Sequence, residues 1–258
     1  LLLMIYLIIL LILFSYSFYK IYSKYTLEIM YNLAFIIAFI PYYLNIRKKI
    51  IETNLKIVFP TITKKRQNSI RFHSWKFLLI NTVIFINQYL LKNSYLLKYY
   101  STTNVVLPKK SFMALAHIGL YYDFTSFFEL TQHSLYGVYK GNFNFNFDSK
   151  IKCVRHNKIN TLEINKYHTL YTPIDQKSSS MNETVLFLNQ YLTFHSYLIK
   201  LAIRQNRDIY FYYVIIDNCE LYPKLIKLET KDKSIHEIAI SIVSNMTTII
   251  EKYPGQYL

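Results

Sequence analysis

Glycine is scarce in this chain, with four residues among 258. Loops that cradle phosphates in nucleotide-binding and dinucleotide-binding proteins need several closely spaced glycines, because the backbone must approach the ligand. The sequence contains no such cluster, which excludes both motifs. The length suits one domain with a single buried core, accompanied by any membrane segment.

Cysteine is rarer still, with two residues. Cys153 and Cys219 are the two in the chain, and their separation matches no metal-ligand spacing. Two cysteines are also too few for a disulfide framework, which is typical of a protein from a reducing compartment. Both are interpreted as packing residues, and no zinc motif or internal repeat is found elsewhere in the sequence.

Acidic residues are outnumbered two to one, with 15 Asp and Glu against 30 Lys and Arg, which gives a formal charge of +15. A surplus of this sign favours phosphate-bearing partners, anionic lipid headgroups or an acidic protein. The runs Arg47-Lys48-Lys49 and Lys64-Lys65-Arg66 could hold the chain on an anionic membrane, or they could be solvated helix ends. Nucleic acid is not favoured, because no binding motif accompanies the charge.

The first 20 residues predict a membrane anchor. Leu1 to Tyr19 carry no charge, and at about 1.5 Å per residue a helix of this length crosses most of a ~30 Å hydrocarbon core. No basic segment precedes the run and no small-residue cleavage site follows it, which favours an uncleaved anchor over a signal peptide. The basic residues lie on its C-terminal side, so the positive-inside rule predicts a cytoplasmic location for the remainder. A second apolar run, Met30 to Leu44, is short for a span and is expected to pack on the domain or lie in the interface.

Residues 21–110 read as a helical, membrane-proximal segment, and residues 111–258 as an α/β core. Helices are predicted at Ile50–Phe59 and Thr63–Lys92, with Pro60 ending the first. Short apolar runs then predict buried strands at 112–116, 136–140, 168–172 and 209–216. Predicted helices fall between or after them at Tyr121–Gln132, His195–Gln205 and Ser234–Tyr253. This alternation predicts a central mixed sheet flanked by helices, with 21–258 forming one domain.

His117 follows the strand at 112–116, and open α/β sheets keep their sites at the carboxyl ends of strands. A histidine can take a proton from a hydroxyl near neutral pH, and a carboxylate on its other ring nitrogen orients the ring. Asp123 is the nearest acid in sequence, followed by Glu129. The pattern is consistent with a catalytic pair, and equally with a histidine that caps a turn.

Five segments of the chain form an ordered set of motifs. They are RKKIIETNLKIVFP (47–60), ALAHIGLYYDF (114–124), GVYKGNFNFNFD (137–148), YTPIDQ (171–176) and EKYPGQYL (251–258). In this order they resemble motifs of the lauroyl and myristoyl acyltransferases of lipid A biosynthesis. The family motifs are an N-L-x-x-C-F-P segment, A-H-F-G-N-W-E, G-V-Y-R-P-N-x-N-P-x-x-D, an A-P-D-Q-like stretch and a Y-P-E-Q-W ending.

The resemblance implies an acyltransferase with a glycerolipid-acyltransferase-like fold and an N-terminal anchor in the bacterial inner membrane. Its donor would be an acyl carrier protein thioester, and its acceptor a hydroxyl of a lipid A precursor. By the same resemblance His117 is the general base and Asp123 its orienting acid. The family places four residues between these two, whereas this chain places five, with Tyr122 at the family's position.

The resemblance also assigns substrate-binding residues. Lys140 stands where the family has arginine, Arg155 matches the next family arginine, and Asp175 and Gln176 match the Asp-Gln step, in which the aspartate supports the active site. No metal or other cofactor is needed for this transfer. Two alternatives stay open: an acyltransferase for another glycolipid or phospholipid, or a non-catalytic membrane protein on a decayed acyltransferase scaffold.

Overall fold

The computed structural model describes residues 26–91, 110–119, 134–139, 151–155, 158–159, 161–167, 169–175 and 182–257. The predicted anchor at 1–20 and the predicted helix Tyr121–Gln132 lie outside these residues. Among the described residues, the chain begins with three helices and continues into an α/β region, in the order that the sequence predicts.

The three leading helices are α1 (Thr26–Tyr43), α2 (Lys48–Val58) and α3 (Lys64–Leu91). Pro60 and the Phe59–Ile62 turn separate α2 from α3, and the Thr63 hydroxyl accepts the Arg66 backbone N–H at the start of α3. A proline after the last helical turn and a threonine before the next are ordinary stop and start signals. The predicted bounds of α2 and α3 therefore agree with the structure to within a few residues.

No single helix in the described ranges combines the length and the apolar composition needed to cross a bilayer. Helices α1 and α2 meet these criteria only as a bent pair, Glu28–Tyr43 with Lys48–Val58, whose axes meet at 101°. The run Met30 to Leu44 lies mostly in α1, and its buried residues pack on α3.

Six described strands form one mixed sheet: β1 (Ser111–Gly119), β2 (Leu135–Tyr139), β3 (Ile151–Arg155), β4 (Thr169–Pro173), β7 (Asp208–Asp217) and β8 (Glu220–Lys227). Their order is β3-β2-β4-β1-β7-β8. All pairs are parallel except β7 with β8, which form an antiparallel hairpin at one edge. The predicted mixed sheet flanked by helices is confirmed.

A separate antiparallel hairpin, β5 (Asn182–Phe187) with β6 (Gln190–His195), precedes helix α5 (Tyr197–Arg204). The short helix α4 (Thr161–Ile164) comes before β4, and α6 (Ile235–Lys252) follows β8. Helix α6 begins with a capping box, in which Ser234 and Glu237 each accept the other's backbone N–H. A 3₁₀ turn, Pro254–Gln256, then leads to Tyr257.

The two faces of the sheet bury different helices. Alternate residues of β1, such as Phe112 and Ala114, pack with α5 and α6. The residues between them, Met113 and Leu115, pack with α1 and α3 on the opposite face. A strand covered on both sides has no polar face, which explains the nearly continuous apolar run at 112–116.

Candidate functional site

The site lies where β1 loses its regular pairing with β7. Leu115 is opposite Tyr212, but Gly119 is opposite Val214, so the segment between Leu115 and Gly119 forms a bulge that contains His117. Bulges re-aim side chains and are common beside active sites. Here the bulge sets the orientation of His117 at the carboxyl end of β1.

Gly119 allows the bulge to close. Its φ is +63°, and a Cβ at this position would overlap the carbonyl oxygen of Val214. Asn81 of α3 donates a hydrogen bond of 2.8 Å to the Gly119 carbonyl. Gln256 holds the facing strand, since its side-chain amide bonds both the N–H and the carbonyl of Ile216. Three distant segments therefore meet around the end of β1.

Asp175 comes from the neighbouring strand. Strand β4 pairs in parallel with β1 up to Pro173, and the Ile174 N–H donates to the Leu115 carbonyl at 2.9 Å. Asp175 follows immediately, so the parallel register brings it beside His117. Asp175 Oδ1 lies 2.7 Å from His117 Nδ1, and Oδ2 accepts the His117 backbone N–H at 2.8 Å.

This pairing fixes the chemistry of the ring. An ionised carboxylate can only accept hydrogen bonds, so Nδ1 carries the proton that lies between His117 and Asp175. In the neutral ring, Nε2 then holds the lone pair and can accept a proton. The Asp175 side chain is 4% exposed and that of His117 is 27% exposed. The acid is thus shielded, while part of the base reaches the surface of the site.

An apolar cavity of about 440 Å³ lies between the leading helices and the end of the chain, and neither His117 nor Asp175 lines it. Its walls come from α2, α3, the β5–β6 hairpin and the end of α6, and they include Leu55, Trp75, Leu78, Phe187, Ile250 and Tyr257. A volume in this range is typical of ligand-binding pockets. The lining is that of a site for a hydrophobic chain.

Tyr257 joins the cavity to the His117–Asp175 pair. It lines the cavity, and its backbone forms an antiparallel bridge with Ile118. Burial raises the pKa of the Tyr257 hydroxyl well above its usual range, and the negative charge of Asp175 adds to this effect. The bridge to Ile118 connects the cavity wall to the end of β1, which carries His117.

The structure brings together two of the predicted site residues, His117 and Asp175. Asp123, Lys140 and Gln176 lie outside the described residues, as does the alternative acid Glu129. Arg155 is the last residue of β3, where it is opposite Tyr139. The roles predicted for these five residues stay predictions.

Sequence reasoning assigned Asp175 to the substrate-binding residues and did not identify it as the ring's partner. The sequence does contain a signal, because the predicted strand 112–116 is followed directly by His117 and the predicted strand 168–172 is followed three positions later by Asp175. The carboxyl ends of parallel strands meet at one edge, which places such residues together. Tyr257 was also missed, since a tyrosine near the end of a tyrosine-rich chain carries no distinctive pattern.

The described part of the chain holds no group of three or more His, Cys, Asp or Glu that could bind a metal ion. Cys219 is a half-buried free thiol in the β7–β8 turn, and burial raises its pKa. A raised pKa leaves the sulfur mainly as thiol near neutral pH, which is consistent with the packing role predicted for it.

No protein-family model matches the chain, and no curated protein matches it. Function is therefore inferred from the residues and their geometry.

Proposed function

We propose that the protein is a membrane-anchored acyltransferase that transfers a fatty acyl chain from an acyl carrier protein thioester to a hydroxyl of a lipid A precursor. The observation that carries the proposal is the 2.7 Å contact between His117 Nδ1 and the buried Asp175 carboxylate, on a strand end that Tyr257 links to an apolar cavity. The ordered sequence motifs around these residues support the same reaction.

In this mechanism His117 Nε2 takes the proton of the acceptor hydroxyl as its oxygen attacks the thioester carbonyl. The new C–O bond forms, the C–S bond breaks, and His117 returns the proton to the leaving thiolate. Asp175 steadies the imidazolium that exists between these two steps. Positioned acid–base catalysis of this kind contributes about 10²- to 10⁴-fold in rate.

Asp175 takes the orienting role that the sequence resemblance assigns to Asp123. Both of its oxygens are used, one on the ring and one on the backbone N–H of the same residue. This double contact fixes the ring relative to the strand end, which a single contact would leave free to swing. In the proposal, Asp123 stays the second acidic candidate that the sequence offers, while Lys140, Arg155 and Gln176 contact the polar parts of the substrates.

The cavity would hold an acyl chain. Each buried CH₂ group contributes roughly 0.8 kcal/mol, so an apolar pocket discriminates between chains by length. Tyr257, which lines the cavity and bridges to Ile118 next to His117, would lie near the reacting end of that chain. The protein's surplus of positive charge suits an acidic carrier protein and the phosphates of a lipid A precursor.

The proposal places the enzyme at the bacterial inner membrane with its catalytic domain on the cytoplasmic face, held by a single N-terminal span. A fold similar to the glycerolipid acyltransferases belongs to the same proposal. Acyl carrier proteins are cytoplasmic partners, so the active site must face that compartment for this donor to be used.

The test uses the full chain in detergent or membranes, with a panel of acyl carrier protein thioesters as donors. The acceptors are a tetra-acylated lipid A precursor and, as the matched control, a lysophospholipid. Transfer to the lipid A precursor, with loss of one acyl chain from lipid A in a deletion strain, supports the proposal. Transfer to the lysophospholipid alone would assign a different acceptor, and no transfer with any pair would support a non-catalytic scaffold.

A further inference from the structure

Helix α1 is buried on one side and exposed on the other. Its small residues Ala34 and Ala38 pack in the cluster that includes α3. Its bulky residues recur at helical spacing on the opposite side, where Ile36 is 62% and Tyr43 is 71% exposed. We define the α1 apolar stripe as Phe35, Ile36, Phe39, Ile40 and Tyr43, all exposed. Exposure of these apolar side chains to water is unfavourable in free energy. A contiguous exposed apolar surface marks an interaction site.

A fixed corner extends the stripe into the start of α2. Asn45 and Arg47 both adopt left-handed backbone conformations, which turn the chain sharply between the two helices. Buried Arg71 holds the corner, because its guanidinium stacks 4.2 Å from the centre of the Tyr42 ring and donates to Asn45 Oδ1. Leu44 and Ile50, each 55% exposed, lie on either side of this turn.

The corner carries a one-sided charge. Between Ile29 and Trp75 the sequence has a single carboxylate, Glu52, and its Oε1 is bound at 2.7 Å by Lys64 Nζ. The basic residues of the same stretch are Arg47, Lys48, Lys49, Lys56, Lys64, Lys65, Arg66 and Arg71. An apolar stripe that continues into exposed cations such as Arg47 and Lys49 matches a surface with an apolar interior and anionic phosphates at its boundary.

The cavity extends to the same corner. Arg47 and Ile50, both exposed, also line the cavity. A surface that covers the corner therefore covers this part of the cavity rim. If that surface is a bilayer, a lipid chain can pass from the acyl layer into the cavity without crossing water.

We propose that the α1 apolar stripe, Leu44 and Ile50 insert into one leaflet of an anionic bilayer, with Arg47, Lys48 and Lys49 at the level of the headgroup phosphates. The bent α1–α2 pair thus lies in the interface. Insertion of this kind requires only the exposed apolar side chains and the cations beside them, and does not depend on acyl transfer. Amphipathic helices of this kind bury their apolar face about 5–10 Å into the headgroup and acyl boundary.

The test places a tryptophan in the stripe of the full chain. Trp75 is the only tryptophan, so Ile40→Trp is made in a Trp75→Phe background. The control in the same background is Ile240→Trp, which is exposed on α6, on the other face of the sheet. Both variants are reconstituted in phosphatidylcholine vesicles that contain phosphatidylglycerol, with or without bromine on the lipid acyl chains.

We expect brominated lipids to lower the emission of the tryptophan at position 40 by about twofold or more, because the proposed depth places it among the acyl chains. The tryptophan at position 240 should keep its emission. Equal emission from position 40 with and without bromine would overturn the proposal. A blue-shifted but unquenched tryptophan at position 40 would do so too, and would show that a second copy or another part of the chain covers the stripe.

The role of charge is tested separately. Each cation near an anionic membrane surface strengthens binding by about fivefold. The double variant Lys48→Gln, Lys49→Gln should therefore lower the ratio of membrane-inserted to uninserted α1 apolar stripe by roughly 25-fold. The matched control is Lys231→Gln with Lys233→Gln, two exposed lysines in the turn before α6. The Lys48→Gln, Lys49→Gln variant should need more phosphatidylglycerol than the parent for the same quenching at position 40. The Lys231→Gln, Lys233→Gln control should need no more than the parent. Quenching that is indifferent to phosphatidylglycerol would contradict the headgroup assignment.

Discussion

The Asp175 carboxylate contacts His117 at two points. Its Oδ1 lies 2.7 Å from the His117 ring nitrogen Nδ1, and its Oδ2 accepts the His117 backbone N–H at 2.8 Å. The two residues are 58 positions apart in sequence and meet because β1 and β4 are adjacent parallel strands. The backbone contact ties the acid to the strand end, and the ring contact ties the base to the acid. Base, acid and strand end therefore form one rigid unit.

Asp175→Asn removes the charge and keeps the shape of the side chain. An amide cannot stabilise an imidazolium as a carboxylate does, so we expect kcat for acyl transfer to fall by about 10²-fold or more. The control is Asp208→Asn, which removes a carboxylate from an exposed ion pair with Lys227. Equal rates in the two variants, each with the thermal stability of the parent, would remove Asp175 from the mechanism.

Gly119→Ala tests the bulge. The positive φ and the nearby Val214 carbonyl both oppose a Cβ at this position. We expect the free energy of unfolding to fall by at least about 2 kcal/mol, as measured by denaturant unfolding. Little or no loss would mean that the β1 end relaxes easily, and that it does not hold His117 rigidly.

Occupancy of the cavity can be read from Trp75, which lines it. A fatty acid brominated along its chain should quench the Trp75 fluorescence of the parent protein. Val58→Phe adds volume to the cavity wall and should weaken this quenching. The control, Ile203→Phe, adds the same kind of ring at an exposed position on α5. Identical quenching curves for the two variants would show that the fatty acid binds elsewhere.

Lys76, on α3, contacts Tyr31 of α1, and its contribution to the free energy of unfolding is expected to depend on pH. It is 3% exposed, its Nζ lies 3.2 Å from the centre of the Tyr31 ring, and burial lowers its pKa to about 8. In the unfolded chain the Lys76 ammonium keeps its proton up to about pH 10.4. Between about pH 8 and about pH 10.4 the unfolded state therefore binds more protons than the folded state. Stability contributed by Lys76 therefore rises with pH in this window, by at most about 1.4 kcal/mol per unit.

The comparison is between the parent and Lys76→Met, with unfolding measured near pH 7.5 and near pH 9.5. The difference in free energy of unfolding, parent minus variant, should increase between the two conditions. Lys56→Met, at an exposed position on α2, is the control and should show no such change. An unchanged difference for Lys76 would mean that its ammonium is solvated in the folded protein.

Much of the fold follows from local patterns. Pro60 with Thr63 sets the α2–α3 boundary, Ser234 with Glu237 starts α6, and apolar runs mark β1, β4 and β7. The β5–β6 hairpin was not predicted, because its strands mix polar and apolar residues and its turn, Leu188-Asn189, contains no glycine. Tertiary contacts stabilise this hairpin in place of a turn-forming sequence. Asn189 Nδ2 donates to the Ile57 carbonyl, and Phe187 packs in the core.

The candidate site was predictable in its base and less so in its acid. His117 is recognisable because it follows the apolar run 112–116, and it lies near the carboxyl end of β1. Proximity in sequence pointed to Asp123 as its partner, whereas the ring contact in the described structure comes from Asp175. Sequence distance is a poor guide at the edge of a parallel sheet, since neighbouring strands there are joined by long connections.

The central claim is that His117 is the base for acyl transfer, and one rate comparison tests it most directly. Acyl transfer from an acyl carrier protein thioester to a lipid A precursor is measured with the parent, with His117→Ala, and with His236→Ala, an exposed histidine on α6. We predict that His117→Ala loses about 10²- to 10⁴-fold in kcat while His236→Ala keeps the parent rate. A folded His117→Ala protein that transfers at the parent rate would contradict the account.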